Sequence, residues 1–151
     1  MYIGTFIDSD SVHDLCLIRG DTLEEVKDKF IKLFENPFRE IIFKESEPEY
    51  SENAKTRFTI EIDDDYWVVM EVFEVFMKRY YLIRWHGYEG VGFDLTEYGL
   101  EEDAYRKMKI EYMDYDDYDY VEDGYLYSMR AEIDTGNEWC LWEIIKEEQV
   151  L

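Results

Sequence analysis

The chain of 151 residues carries 38 Asp and Glu against 16 Lys and Arg, a formal net charge of −22. Such a chain has no electrostatic footprint for gripping nucleic acid, and an anionic bilayer surface would repel it. With 46% hydrophobic and 18% aromatic residues it still has the means to build a core, which argues against a solvated, unfolded chain.

The acidity is evenly spread, since residues 1–76 and residues 77–151 each hold 19 acids and 8 bases. No apolar run reaches the ~18 residues that a membrane-spanning helix needs. The opening Met1-Tyr2-Ile3-Gly4-Thr5-Phe6-Ile7-Asp8 lacks the basic start and long apolar stretch of a signal peptide. Cys16 and Cys140 are too few for a disulfide framework and are expected to be reduced, mostly buried thiols. The expectation is a cytoplasmic protein forming one compact domain.

Tyr2 to Ile7 and Leu15 to Ile18 read as two short strands separated by Asp8-Ser9-Asp10-Ser11. Thr22 and Glu25 have the spacing of a capping box, in which each side chain takes up an orphan amide at a helix start. Leu23, Val26, Phe30, Leu33 and Phe34 then share one helical face, and the run stops near Asn36-Pro37. Ile41-Ile42-Phe43 suggests an extra short strand without a clear counterpart later in the chain. Phe58, Ile60 and Ile62 alternate as a half-buried strand does, the acidic turn Asp63-Asp64-Asp65 follows, and Trp67 opens an apolar run to Phe76.

The pattern then starts again. Tyr80 to Trp85 and Val91 to Leu95 are joined through Gly87 and Gly90, and a helix is expected from about Leu100 to Met113, with Ala104, Met108 and Tyr112 on one stripe. Met129, Ala131 and Ile133 alternate with polar residues, Gly136-Asn137 supplies a turn, and Trp139 opens the last strand. Ile60-Glu61-Ile62-Asp63 before Trp67 is echoed by Ala131-Glu132-Ile133-Asp134 before Trp139. The expected fold is α+β: a tandem pseudo-twofold repeat of ββαββ units, 1–76 and 77–151, mostly antiparallel with two helices. Whether the strands form one sheet or two stays open.

The densest acidic tract is Glu111 to Asp123, with seven acids, four tyrosines and no base. Carboxylates packed this closely repel one another and give an isolated fold nothing. A solvated surface that aids solubility is one reading; the other is a surface for the Lys and Arg of a partner, with tyrosines adding rigid contact area. The partner-binding candidates are Asp114, Tyr115, Asp116, Asp117, Tyr118, Asp119, Tyr120, Glu122 and Asp123, followed by Asp63, Asp64 and Asp65, with Glu132 and Asp134 as their echo. Calcium-loop spacing fails from Asp114, because Tyr118 and Asp119 stand where a ligand and a glycine belong, so no metal site is expected. His13 near Cys16, and His86 after Trp85, carry no catalytic motif, and Gly87-Tyr88-Glu89-Gly90-Val91-Gly92 is too short for a dinucleotide loop. Trp67, Trp139 and Trp142 read as core, and neither cofactor nor enzymatic activity is expected.

Duplex DNA carries one charge per ~1.7 Å of axis, and carboxylates on a strand or helix can imitate such a row. In size, acidity and abundance of Asp, Glu and Tyr the chain resembles, in kind and without a shared motif, the phage-encoded DNA mimics that block restriction or CRISPR enzymes. That likeness implies a non-enzymatic inhibitor acting in a bacterial host on a basic, nucleic-acid-binding nuclease or effector complex. An immunity protein or antitoxin for a basic toxin, and a ligand-binding or interaction domain made acidic for solubility, are the alternatives.

Overall fold

The computed structural model describes residues 1–10, 15–76, 79–87, 90–116, 123–136 and 138–150, with the side chains of Asp116 and Asp123 outside the description. The chain divides into two compact units, one over Met1–Val75 with Val150 added, the other over Phe76–Gln149. In the first, β1 (Tyr2–Asp8), β2 (Cys16–Gly20), α1 (Leu23–Phe34), β3 (Ile42–Ser46), β4 (Thr56–Asp63) and β5 (Tyr66–Glu74) follow in sequence. The second has β6 (Tyr80–Gly87), β7 (Gly92–Tyr98), α2 (Glu101–Asp116), β8 (Asp123–Leu126), β9 (Arg130–Asp134) and β10 (Trp139–Lys146). The α+β class with two helices on antiparallel strands is therefore as expected from the sequence.

Two sheets form, ordered β2-β1-β5-β4-β3 and β7-β6-β10-β9-β8. They share one layout, consistent with a repeat. The strand around Ile42 does have a counterpart: β8 takes the same outer place in its sheet, pairing β9 as β3 pairs β4. Each unit is thus ββαβββ, one strand longer than the ββαββ pattern legible in the sequence.

Local chemistry explains the elements. Thr22 is the N-cap of α1, its Oγ1 accepting the Glu25 amide at 3.1 Å. The reciprocal half of the box is displaced by one residue, since the Glu25 carboxylate accepts from the Asp21 amide at 2.9 Å. That contact, with Lys29 beside it, holds the Glu25 carboxyl below its ordinary range. At the other end Glu35 donates to the Ile31 carbonyl and Pro37 follows, so the helix cannot continue. β4 carries a bulge between Glu61 and Asp63, leaving Asp64-Asp65 as a tight turn into β5. Gly136, at φ 75°, takes the left-handed conformation in the corresponding turn.

Each helix covers one face of its sheet. Val26 and Phe30 of α1 pack on Phe6, Ile18, Phe58, Ile60, Val68, Met70 and Val72. Edge-to-face contacts link Phe6, Phe30 and Phe34, with centroids 5.4 to 5.9 Å apart. In the second unit Ala104 and Met108 of α2 meet Leu82, Ala131, Ile133, Cys140, Trp142 and Ile144. The register makes these sets equivalent: Val68, Met70 and Val72 occupy the places of Cys140, Trp142 and Ile144, and Phe58 and Ile60 those of Ala131 and Ile133. The smaller Ala104 and Ala131 make room for the Trp142 ring. The opposite faces are buried too, at Ile3, Ile7, Leu17, Val69 and Phe73 in one sheet and at Tyr81, Ile83, Trp85, Phe93 and Leu141 in the other.

Candidate interaction surface

At least ten of the sixteen bases stand in ion pairs with carboxylates of their own chain, among them Lys29–Glu25, Lys44–Glu61, Lys55–Glu74 and Lys107–Glu111. Most are exposed, and such pairs contribute little to stability. Their consequence is electrostatic: the positive charges are neutralised locally, and the remaining carboxylates face solvent in groups.

One group lies at the end of the first sheet where β1, β4 and β5 meet. The Ser9 amide donates to the Trp67 carbonyl at 2.9 Å, and the Trp67 amide returns a bond to Ser9 Oγ at 3.3 Å. This ties the loop after β1 to the β4–β5 turn. Asp8 and Asp10 thereby join Asp63, Asp64 and Asp65. Burial raises the Tyr66 phenol above its ordinary range, and the negative charge of Asp8 and Asp10 adds to that. Arg39 pairs with Asp63 at 3.1 Å, while Asp64 and Asp65 are exposed. Asp8 and Asp10 were read in the sequence as loop punctuation; which loop they join depends on pairing that no local signal reveals.

A second group belongs to the end of α2. The last turn of that helix has acids and no base, so Asp114 and Asp116 sit at the negative end of the helix dipole. Asp114 is exposed. Asp117, Tyr118, Asp119, Tyr120 and Glu122 lie outside the described residues, as do the side chains of Asp116 and Asp123. Tyr115 is turned inward: its ring stands 5.6 Å from that of Trp142, and its hydroxyl donates to Glu138 at 2.9 Å. Burial, followed by the neighbouring Cys140 and Glu138, pushes its phenol far above the ordinary range. Glu111 is likewise engaged, accepting from Trp142 Nε1 at 2.8 Å and pairing Lys107 at 3.1 Å. These contacts fix the helix end to the sheet beside the β9–β10 turn. Glu132 serves internally, accepting from Trp139 Nε1 and from the Tyr125 hydroxyl, and Asp134 closes its own turn by accepting the Gly136 amide.

A third group was missed. Glu45, Glu47, Glu49 and Glu52 are all exposed around the β3–β4 loop, with no base from residue 45 to residue 54. Ser51 of the same loop donates to the buried Glu71 of β5, which Arg57 of β4 also meets. The signal was available: four acids in eight residues, overlooked beside the denser tract downstream.

The thiols differ from expectation in one respect. Cys16 is exposed, because it opens an edge strand, whereas Cys140 is buried. Cys140 lies opposite His86 in the β6–β10 register, and His86 Nε2 is 3.8 Å from Asp94 on β7. Sequence spacing could not bring these three together. The arrangement nevertheless lacks an activated nucleophile, since burial pushes the Cys140 thiol up to about 11 and keeps it protonated near neutrality. Asp94 is held by Arg84, through Nε at 3.1 Å and Nη2 at 2.6 Å. Among the described residues no three His, Cys, Asp or Glu side chains form a metal-binding group, and no helix is long and apolar enough to cross a membrane. His13 lies outside the described residues.

No protein-family model, curated protein or solved structure matches the chain.

Proposed function

We propose that this protein is a non-enzymatic inhibitor whose carboxylates occupy the basic, nucleic-acid-binding site of a target protein, in the manner of a DNA mimic. The supporting observation is the end of α2, where acids gather at the negative pole of the helix with no base in the last turn. Each such charge opposes folding by roughly 0.3–1 kcal/mol, so the isolated fold gains nothing from them. A cluster of Lys and Arg on a partner would turn that cost into attraction. The target class is a nuclease or effector complex that grips a duplex, of the kind opposed by phage anti-restriction and anti-CRISPR proteins.

The test is competition for purified duplex-binding nucleases, measured with and without their DNA. Inhibition should be relieved by excess duplex, and affinity should fall steeply between low salt and about 0.15 M, where the screening length is about 8 Å. The variant D114N/D116N/D117N/D119N keeps side-chain size and removes charge, and should weaken inhibition tenfold or more, about 1.4 kcal/mol. Undiminished inhibition by this variant, well folded, would reduce the tract to solvated surface. Neutralisation of a basic toxin without displacement of nucleic acid would instead make the protein an antitoxin.

A further inference from the structure

Helix α2 carries a band of bases and then a band of acids, with an exposed apolar pair between them. Ala104 and Met108 bury one face of the helix against its sheet. At about 3.6 residues per turn, Ile110 and Met113 fall on the opposite face. There they are 52% and 46% exposed. Before them come Arg106, Lys107 and Lys109, three of the sixteen bases within four residues, all exposed. After them comes the last turn, which has acids and no base. Lys107 reaches Glu111 at 3.1 Å with its side chain still 48% exposed, and Arg106 meets Glu102 and Asp103. Neither Lys109 nor Asp114 has an ion-pair partner among the described residues.

This order makes the outer face of α2 complementary to itself. A second α2 laid antiparallel against it, with the twofold axis level with the midpoint of Ile110 and Met113, brings unlike charges together. Ile110 of one copy then lies level with Met113 of the other, and positions 107–109 lie level with positions 114–116. The bases of each copy run beside the acidic last turn of the other, which is also the negative pole of that helix. Lys107 and Asp114 lie two turns apart on the same flank of the apolar pair, so Lys107 of each copy comes within half a turn of Asp114 of the other. A parallel pair would set bases on bases. The match is of the helix with itself, which selects a second copy of this chain over an unrelated partner.

We propose that the chain forms a weak twofold dimer through antiparallel contact of α2 with α2, centred on Ile110 and Met113 and registered by Lys107 against Asp114 of the second copy. The apolar contact is small, two side chains from each copy and the stems of the bases, as in transient assemblies. At about 0.15 M salt the screening length is about 8 Å, longer than a charge pair in contact and shorter than the roughly 24 Å length of the helix. Association therefore peaks near that strength. Below it, repulsion between two strongly acidic chains opposes the dimer; above it, the charge pairs themselves are screened. The dimer does not depend on the inhibitor reading. It covers acids which that reading offers to a target, so dimer and inhibitory complex exclude one another.

Sedimentation equilibrium of the full chain, with no target present, is the experiment, at about 0.01, 0.15 and 1 M salt, where the screening lengths are about 30, 8 and 3 Å. The expected result is a reversible dimer, tightest at the middle strength. Ile110→Asp should weaken it by roughly tenfold or more with an unchanged circular-dichroism spectrum. Lys107→Glu and Asp114→Lys should each weaken it, the second even though it makes the chain less acidic. An equimolar mixture of those two variants should recover the dimer, because one contact is then native and the other has its signs exchanged. A monomer at all three salt strengths would overturn the proposal, as would a dimer that Ile110→Asp leaves equally tight. Association that tightens steadily up to 1 M, or a mixture no tighter than its components, would refute the charge-registered pairing.

Discussion

Glu71 is the one fully buried carboxylate among the described core residues, at 0% exposure in the central strand β5. Its Oε1 lies 3.3 Å from Arg57 Nη1, whose side chain is 17% exposed, and the Ser51 hydroxyl reaches Oε2. Arg57 and Glu71 are also register partners across β4 and β5. Replacing Arg57 by Met keeps most of the aliphatic stem and leaves the carboxylate buried without its cation. Losing one partner of a buried pair costs about 3–5 kcal/mol, whereas replacing both with apolar groups is often neutral or better. The single variant should therefore melt roughly 6–20 °C lower, at about 2–4 °C per kcal/mol for a chain of this size. R57M/E71M should recover most of that loss. Arg130 and Glu143 hold the equivalent register positions on β9 and β10 and are only half-buried, so Arg130→Met should cost less. The assay is thermal and urea unfolding of all four members of the cycle. A loss below about 1 kcal/mol for Arg57→Met, or a double variant no more stable than the single, would show that Glu71 does not depend on Arg57.

Gly4 faces α1 from β1, and a Cβ there would collide with the Met70 sulfur and press on Val26. Gly4→Ala should destabilise by about 1–3 kcal/mol in urea titration, and a loss within about 0.5 kcal/mol would mean the core repacks freely. Cys140 supplies a pH test. Its thiol ionises at about 11 when folded and near 9.0 ordinarily, so the unfolded chain loses this proton first as pH rises. Its contribution is complete below pH 9 and fades towards pH 11, on the order of 2 kcal/mol. Wild type should thus lose stability more steeply than Cys140→Ala over that window, and parallel profiles would count against the shift.

Much of the fold was legible because the local signals agreed. Thr22 and Glu25 marked the start of α1, the 3.6-residue stripe through Val26 and Phe30 marked its buried face, and Trp67 and Trp139 opened equivalent strands. The strand β8 escaped because it follows a dense acidic tract and opens with Asp123-Gly124, a pair that reads as a turn. The surface was less legible, since acids group by strand register and not by sequence distance. Asp8 meets Asp65 through Ser9, and Tyr115 is drawn inward by Trp142 and Glu138, contacts set by elements far along the chain. Exposure of Cys16 follows from β2 being an edge strand, and edge or centre is a property of the whole sheet.

The strand order has a consequence for how the protein comes into being. In both sheets the central strand, β5 or β10, is the last of its unit to be synthesised, and it pairs with the first strand on one side and the penultimate on the other. Until it inserts, the opening hairpin and helix of each unit have no sheet to join, and the β3–β4 or β8–β9 pair is an isolated ribbon of the kind that is marginal in water. Closure therefore couples residues at opposite ends of each unit, which slows folding relative to locally paired chains. During that delay the abundant negative charge keeps incomplete sheets on neighbouring chains apart, so the same carboxylates that resist the compact state protect the chain on its way there.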